Sequence, residues 1–93
     1  MDKHKWVLQG DFPIRARRVE NEWLVYSDGD GRTHRFSGPV AHVFGMLWQN
    51  CGAVMTAEIF IEVINKTGIV QLDPESLAQY IDSLADLNLV KFV

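Results

Sequence analysis

The stretch RTHRFSGPVAHVF, residues 32–44, decides the fold, because the composition of a strand gives way there to apolar residues at the spacing of a helix. Its first five residues have the composition of a strand. Ser37-Gly38-Pro39 then supplies a capping hydroxyl or glycine followed by a proline, which the first turn of a helix accepts without losing a hydrogen bond. Beyond the proline, apolar residues recur at helical i, i+3, i+4 spacing: Val40, Val43, Phe44, Leu47 and Trp48. The sequence therefore predicts strands before Ser37 and helices after it.

Two further strand patterns precede this stretch. Ile14–Val19 alternates over its first residues, and Trp23–Tyr26 is an aromatic and β-branched run. Glu20–Glu22 is short and polar enough to form a hairpin loop between them. Asp28–Gly31 has the sequence Asp-Gly-Asp-Gly, which favours a tight turn because these residues tolerate positive φ. With Arg32–Phe36 as the third strand, the prediction is a three-stranded antiparallel meander.

Three helices are predicted after the meander. The first ends at Cys51-Gly52, the second runs from a Thr56 cap to Thr67-Gly68, and the third opens at Asp73-Pro74-Glu75. The apolar positions of the second and third helices are Ile59, Phe60, Val63 and Ile64, and Leu77, Tyr80, Ile81, Leu84 and Leu87. Residues 89–93 leave the third helix as a short extended tail. The predicted fold class is α+β, a meander followed by three helices in a winged helix-turn-helix-like order.

Length and composition limit the class of protein. We expect the 93 residues to form a single domain, residues 1–93, with residues 1–12 as a flexible tail. The hydrophobic fraction of 47% and the charged fraction of 23% are typical of soluble globular chains. No apolar run approaches the roughly 18 residues of a membrane helix, and no secretory signal is found. One cysteine, Cys51, cannot form an internal disulfide, so we expect a cytoplasmic protein with no membrane partner.

The charge distribution argues against nucleic-acid binding. The net charge is −3, and residues 36–93 hold two basic and six acidic residues, whereas residues 1–35 hold seven basic and six acidic ones. The predicted third helix would enter the major groove in a winged-helix regulator. Because that helix carries acids and no Lys or Arg, it would face phosphates with the wrong charge. A DNA-binding regulator is therefore the weakest hypothesis, and we expect no nucleic-acid partner.

Few side chains are available for metal binding or catalysis. The usual nitrogen and sulfur ligands are His4, His34, His42 and Cys51, and none forms a Cys-x-x-Cys or His-x-x-x-His pair. The Asp-Gly-Asp-Gly turn resembles a calcium loop only in part, because its fifth, sixth and twelfth positions hold Arg32, Thr33 and Pro39. We expect no metal, no cofactor and no enzymatic activity. A Cys51 nucleophile with His42 as its base stays open, since such groups converge in space.

The remaining class is a module that binds another molecule without catalysis, and the meander suggests how it would bind. If Trp23–Ser27 is the central strand, Arg32–Phe36 is an edge strand with half of its backbone N–H and C=O groups unpaired. An extended peptide could add to this edge through main-chain hydrogen bonds, with side-chain pockets supplying selectivity. Arg32 and Arg35 could instead be gatekeeper charges that block aggregation at the edge. The residues alone leave both interpretations open.

The order of elements and several segments resemble the PqqD-like proteins, small peptide chaperones also described as RiPP recognition elements. The resemblance covers about residues 13–93 and is greatest to the subgroup called HPr-related-system PqqD family peptide chaperones. The segments that carry it are Trp23–Tyr26, the glycine turn through Gly31, Thr33–Ser37, the first helix with Pro39, Ala41 and Leu47, and Leu84–Val90. The last of these is similar to the family's Leu-x-x-Leu-Gly-Leu-Val ending, with Asn88 where glycine is common. Asparagine tolerates the left-handed cap nearly as well.

The resemblance implies that a leader peptide adds as a strand to the third strand and lies beside the third helix. Carried onto this sequence, the implied peptide-binding residues are Arg32, Thr33, His34, Arg35 and Phe36 on the strand, and Leu77, Tyr80, Ser83, Leu84 and Leu87 on the helix. The leucines also fit core positions, whereas the Tyr80 hydroxyl needs a partner or water, which makes this residue the best dual candidate.

The implied function is that of a chaperone which presents a precursor peptide to a separate modifying enzyme or kinase-like partner protein. We expect a monomer or weak homodimer. The alternative is a non-catalytic adaptor that binds a partner protein through the same edge.

Overall fold

The computed structural model describes residues 5–8, 13–28, 31–50, 52–68 and 71–93. Its elements in chain order are β1 (Lys5–Leu8), β2 (Ile14–Val19), β3 (Glu22–Ser27), β4 (Arg32–Phe36), α1 (Pro39–Gln49), β5 (Met55–Thr56), α2 (Ala57–Lys66), α3 (Pro74–Asp86) and β6 (Val90–Phe92). The predicted α+β class, with three antiparallel strands followed by three helices, is confirmed.

The meander has the strand order β2-β3-β4, and both pairings are antiparallel. The first hairpin turns over two residues, since Val19 pairs with Glu22, and Glu20 in that turn has a φ of 58°. Two-residue hairpins require such positive φ values to match the twist of the strands. In the second turn Gly31 has a φ of 68°, and its N–H donates to the Ser27 carbonyl at 2.9 Å. Gly29 and Asp30 of this predicted turn lie outside the described residues.

A second sheet, with the order β5-β1-β6, was not predicted from the sequence. In it Trp6 pairs with Phe92 and with Met55, and Leu8 pairs with Val90, all in antiparallel register. Trp6 is 3% exposed and belongs to the core. The segment expected to be a flexible tail, residues 1–12, therefore contains a strand, and the extended tail at residues 89–93 contains its partner. These strands of two to four residues are too short for their own periodicity to reveal them.

The starts of α2 and α3 follow the predicted capping residues, whereas α1 ends at Gln49, before the predicted Cys51-Gly52. Thr56 accepts a hydrogen bond from the Ile59 N–H at 3.3 Å, and Asp73 accepts one from the Ser76 N–H at 2.7 Å. These side chains satisfy N–H groups that have no partner inside the helix. Beyond α3, Asn88 takes a φ of 60°, the left-handed cap that the family resemblance implies at this position.

The core lies between the meander and the helices, where Val25, Phe44 and Leu84 are fully buried. On α2 the predicted apolar face is only partly correct. Phe60 and Ile64 are buried, but the exposed large apolar side chains include Ile59 and Val63, at 51% and 42% exposure. Among the described residues, no helix is long and apolar enough to span a bilayer.

Candidate functional site

Strand β4 forms one edge of the meander, as predicted, because the strand order ends with it. The direction of the β3 backbone follows from the second turn, where the Ser27 carbonyl accepts the Gly31 N–H and so points toward the β4 side. In a strand the N–H and C=O of one residue point to the same side, and this side alternates from residue to residue. Val25 and Trp23 therefore also direct their backbone groups toward β4.

The strand register carries this direction onto β4. Val25 pairs with His34 and Trp23 pairs with Phe36, so the backbone groups of His34 and Phe36 point back to β3. The residue between them, Arg35, and the residue before them, Thr33, direct their N–H and C=O groups away from the sheet. The open edge of β4, as we call it, thus presents the backbone groups of Thr33 and Arg35.

The side chains of β4 alternate between the two faces of the meander. Phe36 is 8% exposed and packs on Phe44 of α1, with ring centroids 5.6 Å apart. His34 lies on the same face, with its ring stacked on Phe36 at 6.3 Å. Thr33 and Arg35 are exposed on the opposite face. A strand added at the open edge would place alternate side chains beside each of these two surfaces.

Arg35 already has a partner on its exposed face. Its Nη2 lies 2.6 Å from Glu22 Oε1, and its Nε donates to Glu22 Oε2 at 3.0 Å. These hydrogen bonds hold the pKa of the Glu22 carboxyl below its ordinary value and raise the pKa of Arg35. The guanidinium therefore offers a bound peptide less uncompensated charge than an exposed arginine would.

The five helix residues of the predicted site divide into two groups. Leu77 and Leu84 are fully buried in the core. Tyr80 and Leu87 are half-buried against the core, and Ser83 is exposed. The helical period places Tyr80, Ser83 and Leu87 on one flank of α3, which we call the α3 flank. Only these three present surface that a peptide could contact directly.

Helix α1 connects the two halves of the predicted site. It packs on β3 and β4 and also on α2 and α3, whereas α3 makes its larger contacts with α1, α2 and β6. Among the described residues, β4 and α3 thus share no broad contact, and both rest on α1. The structure brings together the strand residues and, separately, the helix residues of the predicted site.

Two hollows elsewhere were not predicted. One lies between the first hairpin and α1, where its lining includes Arg18, Trp23 and His42. The other lies beside the second sheet, where its lining includes Trp6, Leu77 and Phe92. Sequence patterns could not locate either, because each is built from elements far apart in the chain.

The described residues contain no group of three or more His, Cys, Asp or Glu side chains that could hold a metal ion. Cys51, which the sequence leaves open as a nucleophile with His42 as its base, lies outside the described residues. The arrangement of that pair therefore stays untested.

Comparisons with known proteins give one structural likeness. No family model and no curated protein matches the chain. Among solved structures, "TbiB1 in Complex with the TbiA(beta) Leader Peptide" has a similar fold, with a TM-score of 0.67. The two chains are 11% identical, and the alignment covers 91% of this chain and 95% of that one. At this identity the likeness shows the fold, which is the one derived above from the strands and helices.

Proposed function

We propose that this chain binds an extended leader peptide, which adds as a strand at the open edge of β4, and presents it to a separate modifying enzyme. The observation that carries the proposal is the pair of outward backbone groups at Thr33 and Arg35. In a four-helix bundle or a closed barrel, outward backbone groups of this kind would be absent or paired. Here they belong to β4, the last strand of the meander. The similar fold of a protein solved with a leader peptide supports a peptide as the partner.

The geometry of β4 suits a short added strand. Two outward residues supply two N–H donors and two C=O acceptors, so a peptide of about five residues could pair with the edge. Half of its side chains would lie on the face that holds Phe36 and His34. The other half would lie beside Thr33 and Arg35. We expect the first set to be apolar, because Phe36 belongs to the core cluster.

The α3 flank is the second wall in this proposal. Tyr80 and Leu87 present partly exposed apolar surface, and Tyr80 and Ser83 present hydroxyl groups. Leu77 and Leu84 would act from within the core by fixing the position of this flank. Since α1 supports both β4 and α3, a shift of α1 would change the distance between the two walls.

Two alternative functions are a non-catalytic adaptor and a DNA-binding regulator. A non-catalytic adaptor would bind a partner protein at the same edge, and the genes beside the coding sequence separate it from a chaperone: a short precursor gene next to a modifying-enzyme gene favours the chaperone. The DNA-binding hypothesis gains nothing, because α3 has acidic residues and no Lys or Arg from Pro74 to Asp86. The HPr-related subgroup, a kinase-like partner, the cytoplasmic location and the oligomeric state stay predictions.

The test uses peptides selected from a random display library against the folded chain and then mapped by NMR. We expect titration to shift the amide signals of Arg32–Phe36 together with those of the α3 flank. Peptides that add to the edge should also slow amide exchange at Thr33 and Arg35, since new hydrogen bonds protect those groups. Shifts confined to the first hairpin, or a selection that yields no binder, would contradict the proposal.

A further inference from the structure

The face of the meander that points away from the helices forms a second surface, which meets the open edge at Thr33 and Arg35. We call it the outer face, and its main residues are Arg15, Arg17, Leu24, Tyr26, Thr33 and Arg35, which alternate with residues that face α1. On the inner face Val25 and Ser27 are fully buried, whereas Leu24 and Tyr26 keep part of their surface in solvent. Among the described residues, α1 packs on the inner face, through contacts such as Trp23 with Phe44.

The register arranges the outer face in two rows across the three strands. One row runs from Arg15 through Tyr26 to Thr33, and the other from Arg17 through Leu24 to Arg35. Directly opposed side chains on neighbouring strands have Cβ atoms about 5 Å apart. A shallow hollow forms between the rows, lined by Arg15, Ala16, Arg17, Leu24, Tyr26 and Thr33. Its floor is apolar and aromatic, and two guanidinium groups stand at its β2 side.

The outer face is positively charged, whereas the chain as a whole is negatively charged. Arg35 is neutralised by Glu22, but Arg15 and Arg17 make no ion pair with any described residue. The chain as a whole carries a net charge of −3. Arg15 and Arg17, which flank Tyr26 across the strands, therefore place positive charge beside an apolar floor. Tyrosine and arginine in this combination are the residue types that dominate binding energy at protein interfaces.

We propose that the outer face docks a carboxylate-rich segment of a partner protein. An apolar side chain of that segment lies over Leu24 and Tyr26, and its carboxylates pair with Arg15 and Arg17 in charge-assisted hydrogen bonds. This inference extends the proposed function, because it assigns the surface by which a peptide-loaded module meets its partner. Arg15 and Arg17 lie on β2, two strand spacings or about 10 Å from β4, so the open edge stays available.

A protein partner fits this face better than nucleic acid. Phosphates would also pair with Arg15 and Arg17, but affinity for a nucleic-acid backbone grows with the number of neutralised phosphates. Arg15 and Arg17, with Glu22 on the same face, supply few such contacts. The hollow over Leu24 and Tyr26 matches an apolar side chain between carboxylates, which a polypeptide supplies and a phosphate backbone does not.

The probe is a short labelled peptide in which glutamate alternates with leucine and tyrosine, followed by fluorescence anisotropy. We expect it to bind, and to bind more weakly as salt is raised. The double variant Arg15→Glu/Arg17→Glu should lower the affinity by about tenfold or more, because both contacts turn repulsive. The matched control is Arg18→Glu, an exposed neighbour on the same strand whose side chain lies on the other face. It changes the net charge without touching the outer face, so the affinity should stay near that of the unmodified chain.

Three results would overturn the inference. The first is a loss in Arg18→Glu in proportion to its charge change, which is two units against four in the double variant, because only net charge would then matter. The second is tighter binding of duplex DNA than of the glutamate peptide, abolished by the same double variant. The third is no measurable binding of the glutamate peptide at all. If the double variant is unfolded by circular dichroism, the milder Arg15→Gln/Arg17→Gln replaces it.

Competition separates this inference from the proposed function. The glutamate peptide should not displace a display-selected peptide held at the open edge. If the glutamate peptide displaces the selected peptide, the two peptides bind the same surface. That result would overturn the inference but not the proposal that a peptide binds the open edge. If no peptide binds the open edge but the glutamate peptide still depends on Arg15 and Arg17, the proposed function fails and the docking surface stands.

Discussion

Arg35 donates hydrogen bonds to both carboxylate oxygens of Glu22 across the pair of strands β3 and β4. The two residues are diagonal neighbours, since Arg35 is in register with Leu24, two positions along the strand from Glu22. This bidentate pair ties the edge strand to the centre of the sheet on the solvent side. Arg35, which the sequence suggests as a gatekeeper or as a peptide contact, therefore also links two strands of the sheet through Glu22.

Acid should weaken the fold through two carboxyl groups. The pKa of Glu22 lies below its ordinary 4.5 because Arg35 hydrogen-bonds to it, and that of Asp73 lies below 3.8 because the Ser76 N–H donates to it. The unfolded chain regains the ordinary values and so binds more protons, which makes stability fall as the pH drops below about 4.5. Urea midpoints measured from neutral to acidic pH should show this decline.

The variant Glu22→Gln should flatten the acid decline, because it removes one of these carboxyl groups. Arg35→Gln should flatten it as well, since Glu22 then loses the partner that depresses its pKa. A decline as steep as that of the unmodified chain in both variants would show that the pair makes no contribution to the acid response.

Proline substitutions on β4 should separate peptide binding from folding. The Thr33 N–H points to the open edge, so Thr33→Pro removes a donor that the sheet does not use. We expect this variant to fold and to lose binding of display-selected peptides. The His34 N–H points to β3, so His34→Pro breaks a ladder bond and should lower the free energy of unfolding by more than about 1 kcal/mol. The reverse pattern would mean that the inward and outward residues have been exchanged.

Trp6 should be essential to stability although it lies in a segment whose sequence suggested a tail. It is 3% exposed and packs near Phe60, with ring centroids 6.1 Å apart. Trp6→Ala should cost about 3–5 kcal/mol, the usual loss for a buried aromatic side chain. Lys5→Ala is the matched control, because Lys5 is an exposed neighbour on the same strand and should cost less than about 0.5 kcal/mol. Similar stability of the two variants would show that β1 does not pack as described.

Gly45 on α1 should resist replacement by alanine. An ideal Cβ at this position would lie 2.9 Å from Trp23 Nε1, and Trp23 packs edge-on against Phe44. Alanine favours a helix by up to about 1 kcal/mol, but the overpacking costs about 1–3 kcal/mol, so Gly45→Ala should be destabilising. Gln49→Ala, at an exposed position of the same helix, serves as the control. A Gly45→Ala variant that unfolds at the same urea concentration as the control would contradict this packing.

The α3 residues should differ in what they contribute. Leu84 is fully buried, so Leu84→Ala should cost about 2–5 kcal/mol of stability. Leu87 is half-buried on the α3 flank, so Leu87→Ala should cost less stability and weaken the binding of selected peptides. Denaturation and anisotropy measured on both variants would test this division. Unchanged peptide binding in a folded Leu87→Ala variant would remove the α3 flank from the site.

The elements that the sequence predicts are those whose information is local. The meander turns, the helix starts at Thr56 and Asp73 and the left-handed cap at Asn88 all depend on residues within one turn or loop. The second sheet could not be predicted, because Trp6 and Phe92 are at opposite ends of the chain and their strands are too short to show a period. Exposure of Val63 was missed for a related reason: helical spacing shows which residues share a face but not what covers it.

The candidate site was predictable to the same extent. The order of three strands is enough to predict that Arg32–Phe36 is an edge. Which of its N–H groups point outward depends on the hydrogen bond from the Gly31 N–H to the Ser27 carbonyl. The types of the side chains do not show which alternate residues of the strand direct their backbone groups away from the sheet. The pairing of Arg35 with Glu22 depends on that register as well, because a one-residue slip would place the two side chains on opposite faces.

The strand pair β1 and β6 brings the two ends of the described chain together. The Val93 N–H donates to the Lys5 carbonyl at 3.1 Å, so the polypeptide enters and leaves the domain at neighbouring points. Such a domain can be inserted into a loop of a host protein without forcing the flanking segments of the host apart. The same proximity permits circular permutation, in which a linker runs from Val93 to Lys5 and new ends are opened at Glu20 and Asn21. Every strand pairing of both sheets would survive that rearrangement, although the order of the elements along the chain would change.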